Sequence, residues 1–448
     1  MPTVYIKTLG CKVNTFDSSA LHREFNDKGY TVTNDPGNAS IIVVNTCSVT
    51  ERAEKEARYL LRRYSRESPQ AFKVVTGCYA QTAAETLAAS DDVDLVVTNE
   101  AKPLLISYIE QRQNGTLTAK LPLLKSPGEG KNLQFKTAHT FFATPVVERV
   151  RGFLKIQDGC DGFCAYCQIP YSRGASRSVP PAQVIHAARE IVATGIKEIT
   201  LTGIHIGDYG QDSFTGADLG GEGKSILAVL KELLTLPGLK RLRISSLEPS
   251  EVSPELLDLL AEHPAVFCDH FHLPLQAGSD RILKSMGRAY DLAYYADTIT
   301  AIRQRFPAAQ LSADVLPGFP GETEQDFADT LAFVKSCGFG GLHVFPYSKR
   351  PHTRALRFPG HLSPEIIRDR AKILRKLGEE LSYEFRHNLM GSSQQVLWES
   401  WDQKTRRFSG KTKNYVSVLS AEDRPTEVGT ISEVTIKGFL SKDSLLAW

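Results

Sequence analysis

Cys160, Cys164 and Cys167 stand in one short run, Gln157-Asp-Gly-Cys-Asp-Gly-Phe-Cys-Ala-Tyr-Cys-Gln168, with the spacing C-x3-C-x2-C. Three thiolates on one loop can hold a four-iron cluster by three of its irons, leaving the fourth free for a small molecule. A structural zinc site wants four ligands and usually pairs its cysteines as C-x2-C. No fourth Cys or His lies nearby. A ferredoxin run would continue to a fourth cysteine before a proline, whereas Cys167 is followed by Gln-Ile-Pro. Thiols this close in sequence pair poorly as disulfides. The remaining alternative is three unrelated buried cysteines.

The rest of the chain suits a loop of that kind. Its 448 residues are a prior for two to four domains. No apolar stretch approaches the ~18 residues that span a bilayer, and no signal peptide is visible at the N-terminus. The expectation is a cytoplasmic protein with no membrane contact, in which eight cysteines point to metal or redox work before disulfides. A net charge of +2 argues against wholesale coating of nucleic acid but leaves room for local basic patches.

Residues 1–112 alternate strand and helix signals. Val4–Leu9, Ser40–Asn45, Phe72–Thr76 and Asp94–Thr98 read as strands, with helix from about Phe16 and another opened by the capping-box pattern Ser48-Val-Thr-Glu51. The alternation predicts a small open parallel sheet. Cys11, Cys47 and Cys78 follow its first three strands. Ligands gather beyond the carboxyl ends of such strands, so these three cysteines are expected to converge as a second thiolate set. Free Cys is also among the most buried residue types, which is the plainer reading.

Residues 113–149 read as a connector, with turn signals at Gly115-Thr-Leu-Thr and Ser126–Gly130. Residues 150–378 repeat a strand–helix unit. Strands are expected at Phe153–Ile156, Glu198–Thr202, Lys240–Ile244, His270–Leu273, Leu311–Val315 and Leu342–Phe345. Helices are expected at Pro181–Ala193, Ser225–Leu234, Pro254–Glu262, Leu292–Arg305 and Thr323–Ser336, with a basic helix, Pro364–Met390, leading out. Six units predict an incomplete TIM-like barrel, a partial (βα)6, with function at the strand carboxyl ends. The Cys160 loop follows the first of those strands. Residues 379–448 hold all three tryptophans (Trp398, Trp401 and Trp448) and short strand signals, predicting a small antiparallel β-barrel. There Lys404, Arg406, Arg407, Lys411 and Lys413 cluster around Phe408 and Tyr415. Cations interleaved with aromatics suit an RNA backbone with stacked bases; a solvated hairpin fits the same pattern.

The loop Cys160-x3-Cys164-Ala-Tyr166-Cys167 resembles the signature of radical S-adenosylmethionine enzymes. Lys7–Asn14, Val44–Thr50, Val75–Gln81, His272–Ser279 and Leu316–Thr323 narrow the resemblance to the methylthiotransferases, across essentially the whole chain and including that family's C-terminal TRAM module. Gly10-Cys11-Lys12-Val13-Asn14 resembles the branch that acts on threonylcarbamoyl-adenosine in tRNA. The isopentenyl-adenosine branch typically has Cys-Gln-Met-Asn there, and the ribosomal-protein branch, which modifies an aspartate, Cys-Pro-Lys-Asn. Those two branches are the alternatives.

The resemblance implies two 4Fe-4S clusters and S-adenosylmethionine. Cys160, Cys164 and Cys167 would hold the cluster whose free iron binds S-adenosylmethionine and releases a 5′-deoxyadenosyl radical. Cys11, Cys47 and Cys78 would hold the cluster that carries the sulfur to be methylated and transferred. Around S-adenosylmethionine it suggests Tyr166, Gly203, Ser245, Ser246, Glu248, Gln276, Ser279 and Asp314, with Glu322 nearby; serines and aspartates after strands are also ordinary helix caps. It implies the tRNA anticodon stem-loop as partner, met by Lys404, Arg406, Arg407, Lys411, Lys413 and Tyr415. An external electron donor of the flavodoxin or ferredoxin type and a monomeric state are expected. His270 and His272 read as hydrogen-bonded structural histidines, Cys268 and Cys337 as buried thiols, and Arg58, Arg62, Arg63 and Arg66 as a second possible RNA face or a solvated one.

Overall fold

A computed structural model describes residues 1–121, 141–146, 150–211, 226–423 and 426–447. Most of the expected connector, its Ser126–Gly130 turn included, lies outside the described residues, as do Ser225 and Trp448.

The N-terminal unit is a five-stranded sheet, parallel throughout. In spatial order its strands are Thr31–Thr33, Thr3–Thr8, Ile41–Thr46, Phe72–Gly77 and Leu95–Val96. Ile41–Thr46 is buried at every position, as a central strand covered on both faces must be. The register aligns Thr8 with Asn45, and Asn45 with Thr76. The carboxyl ends of the three central strands are therefore level. The first helix, Lys12–Asp27, begins earlier than the apolar pattern suggested, with Cys11 extended at its N-cap. The second, Glu51–Glu67, is capped by Thr50, whose hydroxyl accepts from the Ala53 amide at 3.2 Å. This corrects the expected box at Ser48, whose hydroxyl is buried without a hydrogen-bond partner among the described residues.

The central unit has the expected six parallel strands: Arg151–Lys155, Glu198–Thr202, Arg241–Ile244, His270–His272, Gln310–Val315 and Gly341–Val344. They form two three-stranded halves joined by a parallel bridge between Leu242 and Phe267. Several short elements were not foreseen, the one-turn helix Ile169–Arg173 among them. A helix, Asp280–Met286, follows the fourth strand, and a short antiparallel ribbon pairs Gln157–Asp158 with Arg177–Ser178. That ribbon clamps both ends of the segment carrying Cys160, Cys164 and Cys167.

The long helix Pro364–His387 leads into a closed five-stranded barrel around Trp398, which is fully buried and donates from Nε1 to Ser432 Oγ at 2.7 Å. The barrel is not antiparallel throughout. Ser417–Ser420 and Ser444–Ala447 run parallel, because the last strand must enter between two earlier ones to close the ring.

The N-terminal and central units meet through a buried charge knot. Asp17, on the first helix, receives Lys102 Nζ at 2.9 Å, Lys155 Nζ at 2.5 Å and Arg173 at 3.3 Å. Lys155 and Arg173 also reach Asp158, at 3.2 and 2.9 Å. All five side chains are at most 8% exposed. Burial alone would raise the Asp17 carboxyl, but Lys102, Lys155 and Arg173 overcome it and hold it at about 2.

Removing one partner of such a group strands the others in a low dielectric. Asp17→Ala is expected to destabilise the folded chain by about 3–5 kcal/mol, read as a lower denaturant midpoint; an unchanged midpoint would contradict the assignment. The depressed carboxyl makes this contribution fully present above the ordinary aspartate range, and it is lost as pH falls toward about 2. Acid unfolding of Asp17→Asn should lack that component.

Candidate active site

The level strand ends bring Cys11, Cys47 and Cys78 to one edge of the N-terminal sheet, and the close approach needs glycine. Gly10 (φ 97°) packs so tightly that an added Cβ would stand 2.6 Å from Cys47 Cβ and 2.8 Å from its Sγ. Gly77 (φ 96°) leaves no room either, with the Thr46 carbonyl oxygen at 2.3 Å. Backbone and side-chain N–H groups face the sulfurs. Val49 N donates to Cys47 Sγ at 3.5 Å, and Asn99 Nδ2 to Cys78 Sγ at 3.7 Å. Burial, then Cys78 nearby, pushes the Cys47 thiol up to about 12.

The second set has the same character. Gly162 N donates to Cys160 Sγ at 3.3 Å, and Arg288 Nη1 to Cys164 Sγ at 3.3 Å. Burial and the neighbouring Cys164 and Cys160 raise the Cys167 thiol. Soft thiolate donors in threes, each set served by N–H groups that favour charged sulfur, fit iron–sulfur clusters. So does the buried Ser48 hydroxyl, which has no protein partner among the described residues.

A cavity of about 400 Å³ lies between the units. The three loop cysteines line one side and Ser48, Val49 and Thr50, the residues just after Cys47, the other. Of the residues expected around S-adenosylmethionine, Tyr166, Glu248, Gln276 and Asp314 line this cavity. Gly203, Ser245, Ser246 and Ser279 are not among the lining residues. Gly203 packs on Ile206 and Gln157, Ser245 is buried, and the Ser279 hydroxyl donates to Asp326 at 2.7 Å. Glu322 is tied to Arg370 at 2.7 Å.

Three charged or basic lining residues were missed. Arg288 pairs with Glu248 as well as facing Cys164. Arg350 pairs with Glu54 and donates to the Ser48 carbonyl at 2.9 Å, linking the units across the cavity rim. His205, 3.9 Å from Cys160 Sγ, is held by Asp208 at 2.5 Å and Glu251 at 2.6 Å. Only His205 had a sequence signal, its place after the second strand.

The expected basic–aromatic RNA set divides. Lys404, Arg406 and Arg407 stand around the tip of the Ser393–Thr412 hairpin, where Arg406 pairs with Asp423 and Arg407 with Glu422. Lys411, Lys413 and Tyr415 instead face the central unit. The Tyr415 ring lies 4.6 Å from the Arg243 guanidinium, 4.8 Å from Lys411 Nζ and 5.0 Å from the His270 ring, and Lys413 Nζ donates to the Pro264 carbonyl. The same pattern that suits RNA here seals a domain seam. His272 is held by Ser312 and Asp314, both at 3.0 Å, and His270 by Ser312 at 3.3 Å. Cys268 and Cys337 are buried.

Residues 3–98 match the uncharacterized protein family UPF0004, and residues 154–334 the radical SAM superfamily. The chain is 35% identical to the threonylcarbamoyladenosine tRNA methylthiotransferase MtaB of Bacillus subtilis, over 97% of this chain and 94% of that protein. It is 32% identical to a tRNA-2-methylthio-N(6)-dimethylallyladenosine synthase of Geotalea uraniireducens, over 97% and 96%. Among solved structures, the radical S-adenosylmethionine methyltransferase TsrM of Kitasatospora setae shares the fold at a TM-score of 0.57 and 16% identity, over 79% of this chain and 77% of that one.

Anaerobic reconstitution should load about eight irons, as two four-iron cubes require, and Cys160→Ala/Cys164→Ala/Cys167→Ala about four. Because buried thiols must lose protons to bind metal, iron affinity should fall as pH is lowered from about 8 to about 6. Affinity independent of pH would contradict that account.

Proposed function

The chain belongs to the radical S-adenosylmethionine methylthiotransferases, and we propose that within them it places a methylthio group on carbon 2 of threonylcarbamoyl-adenosine in the anticodon loop of tRNA. The observation that carries the reading is one cavity lined by the loop cysteines on one side and by Ser48–Thr50, the residues just after Cys47, on the other, joined to a chain-long similarity to enzymes of that name. The Cys11-Lys-Val-Asn14 run, which differs from those of the other two branches, supports the choice of substrate.

Carbon 2 of an adenine carries a hydrogen that no protein base removes as a proton. When bound, the two clusters and S-adenosylmethionine supply hydrogen-atom abstraction and a transferable sulfur. In this reading Cys160, Cys164 and Cys167 hold one cluster and Cys11, Cys47 and Cys78 the other. The protein's own part is to bind, orient and exclude water. Tyr166, Glu248, Gln276 and Asp314 offer one aromatic face and polar groups to S-adenosylmethionine. Arg288 pairs with Glu248 and opposes burial, which still pushes that carboxyl above its ordinary range. Arg350 keeps the Ser48–Thr50 segment against the core, walling the enclosure opposite the loop cysteines.

RNA would approach over two basic surfaces. One is the hairpin of Lys404, Arg406 and Arg407. The other is the exposed face of the Glu51–Glu67 helix, which starts at the cavity and carries Arg58, Arg62 and Arg66 beside the exposed ring of Tyr59. Arg63, on the same helix, pairs with Glu67 at 2.8 Å. The reading makes the protein cytoplasmic and monomeric, supplied with electrons by a flavodoxin or ferredoxin. Among the described residues no helix is long and apolar enough to cross a membrane.

Mass spectrometry of tRNA nucleosides tests the proposal. Cells lacking the protein should lose methylthio-threonylcarbamoyl-adenosine and keep the unmodified threonylcarbamoyl form; unchanged methylthiolation would refute it. Arg62→Glu/Arg66→Glu should weaken binding of an anticodon stem-loop and flatten its salt dependence by roughly 0.7 per lost phosphate contact. Equal binding by the variant would remove this helix from the RNA surface.

A further inference from the structure

One turn of helix, Ile169–Arg173, follows Cys167 directly and packs against the N-terminal unit. It ends in Arg173, 2% exposed and reaching across the interface. Nη2 donates to Asn14 Oδ1 and lies 3.3 Å from Asp17; Nη1 donates to Asp158 at 2.9 and 3.1 Å. Asn14 passes the contact on. Its Nδ2 donates to the Leu9 carbonyl at 2.7 Å and the Thr46 carbonyl at 3.0 Å, beside Cys11 and Cys47. The third cysteine is reached through Ser172, whose carbonyl accepts at 2.8 Å from the same Asn99 Nδ2 that faces Cys78. A single turn supplied by the core thus braces the surroundings of all three N-terminal cysteines.

Charge adds a second, independent observation. The knot sets three cations, Lys102, Lys155 and Arg173, against two carboxylates, Asp17 and Asp158. Arg177, which also acts on Asp158, and Glu100, in the same pocket, add one charge of each sign, so one positive charge is left over in the buried interface. Arg173 opposes the upward push of burial on the Cys11 and Cys47 thiols. In return, although burial pulls the guanidinium down, Asp158, Cys78, Asp17 and Cys11 raise it. The surplus charge faces the cysteines.

We propose that Arg173 is a positioning residue for the Cys11, Cys47 and Cys78 set, provided by the neighbouring unit: it fixes Asn14, and its surplus charge offsets the negative charge of a cluster held there, making that cluster easier to reduce. The inference rests on the assignment of a four-iron cluster to those cysteines. Such a cluster on three thiolates is already anionic, and one-electron reduction adds a further negative charge without a proton. Buried cations nearby stabilise the reduced form most.

The test is a redox titration with dithionite as electron donor, followed by electron paramagnetic resonance. It uses the full-length chain carrying Cys160→Ala, Cys164→Ala and Cys167→Ala, reconstituted with iron and sulfide so that only the N-terminal set is loaded. Arg173→Met removes the surplus charge and should lower the midpoint potential. A change of about tenfold in the reduced-to-oxidised ratio at fixed potential corresponds to about 59 mV. Asp158→Asn removes a carboxylate and should raise the potential; Arg173→Lys should stay near the parent.

Shifts of opposite sign support the proposal. Shifts of the same sign, or none with iron content intact, overturn it. If Arg173→Met takes up no iron while Arg173→Lys does, charge is what the site needs, and the proposal stands. If neither takes up iron, shape alone matters, and it falls. Failure of the parent to load iron would instead refute the assignment of the cluster.

Discussion

Everything functional in this protein hangs on a buried ion group. Asp17, Asp158, Lys102, Lys155 and Arg173 join the N-terminal sheet to the first strands of the central unit. Apolar packing could hold two domains together, but it is tolerant of sliding. Charges in a low dielectric are not, since any displacement leaves one unpaired at a cost of several kcal/mol. The registry so obtained aligns two sets of thiols that come from separate folding units.

Much of that arrangement was legible in the chain. The strand–helix alternation, the six core strands and the placing of cysteines at strand ends all follow from local periodicity and from where open parallel sheets bind ligands. The ion group was not legible. Asp17 and Lys155 lie 138 positions apart, and each alone reads as a solvated charge. The Gln157–Asp158 ribbon is too short to show any period. Lys411, Lys413 and Tyr415 illustrate a subtler limit. An arginine stacked on a tyrosine looks the same in sequence whether it awaits RNA or closes a seam, and only the docking of the barrel decides. The Ser48 cap failed for a related reason: Ser48 lies on the cavity wall, and Thr50, extended just before the helix, takes the cap instead.

The cavity shows how the two halves divide the work. The core contributes the aromatic and acidic lining through strand ends, the rigid part of the fold. The N-terminal unit contributes one short segment, Ser48–Thr50, clasped by Arg350 through Glu54 and the Ser48 carbonyl. The side chains of Ser48, Val49 and Thr50 leave the space opposite the loop cysteines open.

The seam between core and small barrel has an evolutionary corollary. Arg241 and Arg243 grip the barrel by main-chain carbonyls, those of Gln395, Lys411 and Lys413, at 2.6, 3.0 and 2.9 Å. A carbonyl is present whatever the residue. At those points docking therefore reads the path of the chain and is indifferent to the side chains it carries. Mutations can accumulate on the outward faces of the barrel while its attachment stays as it was.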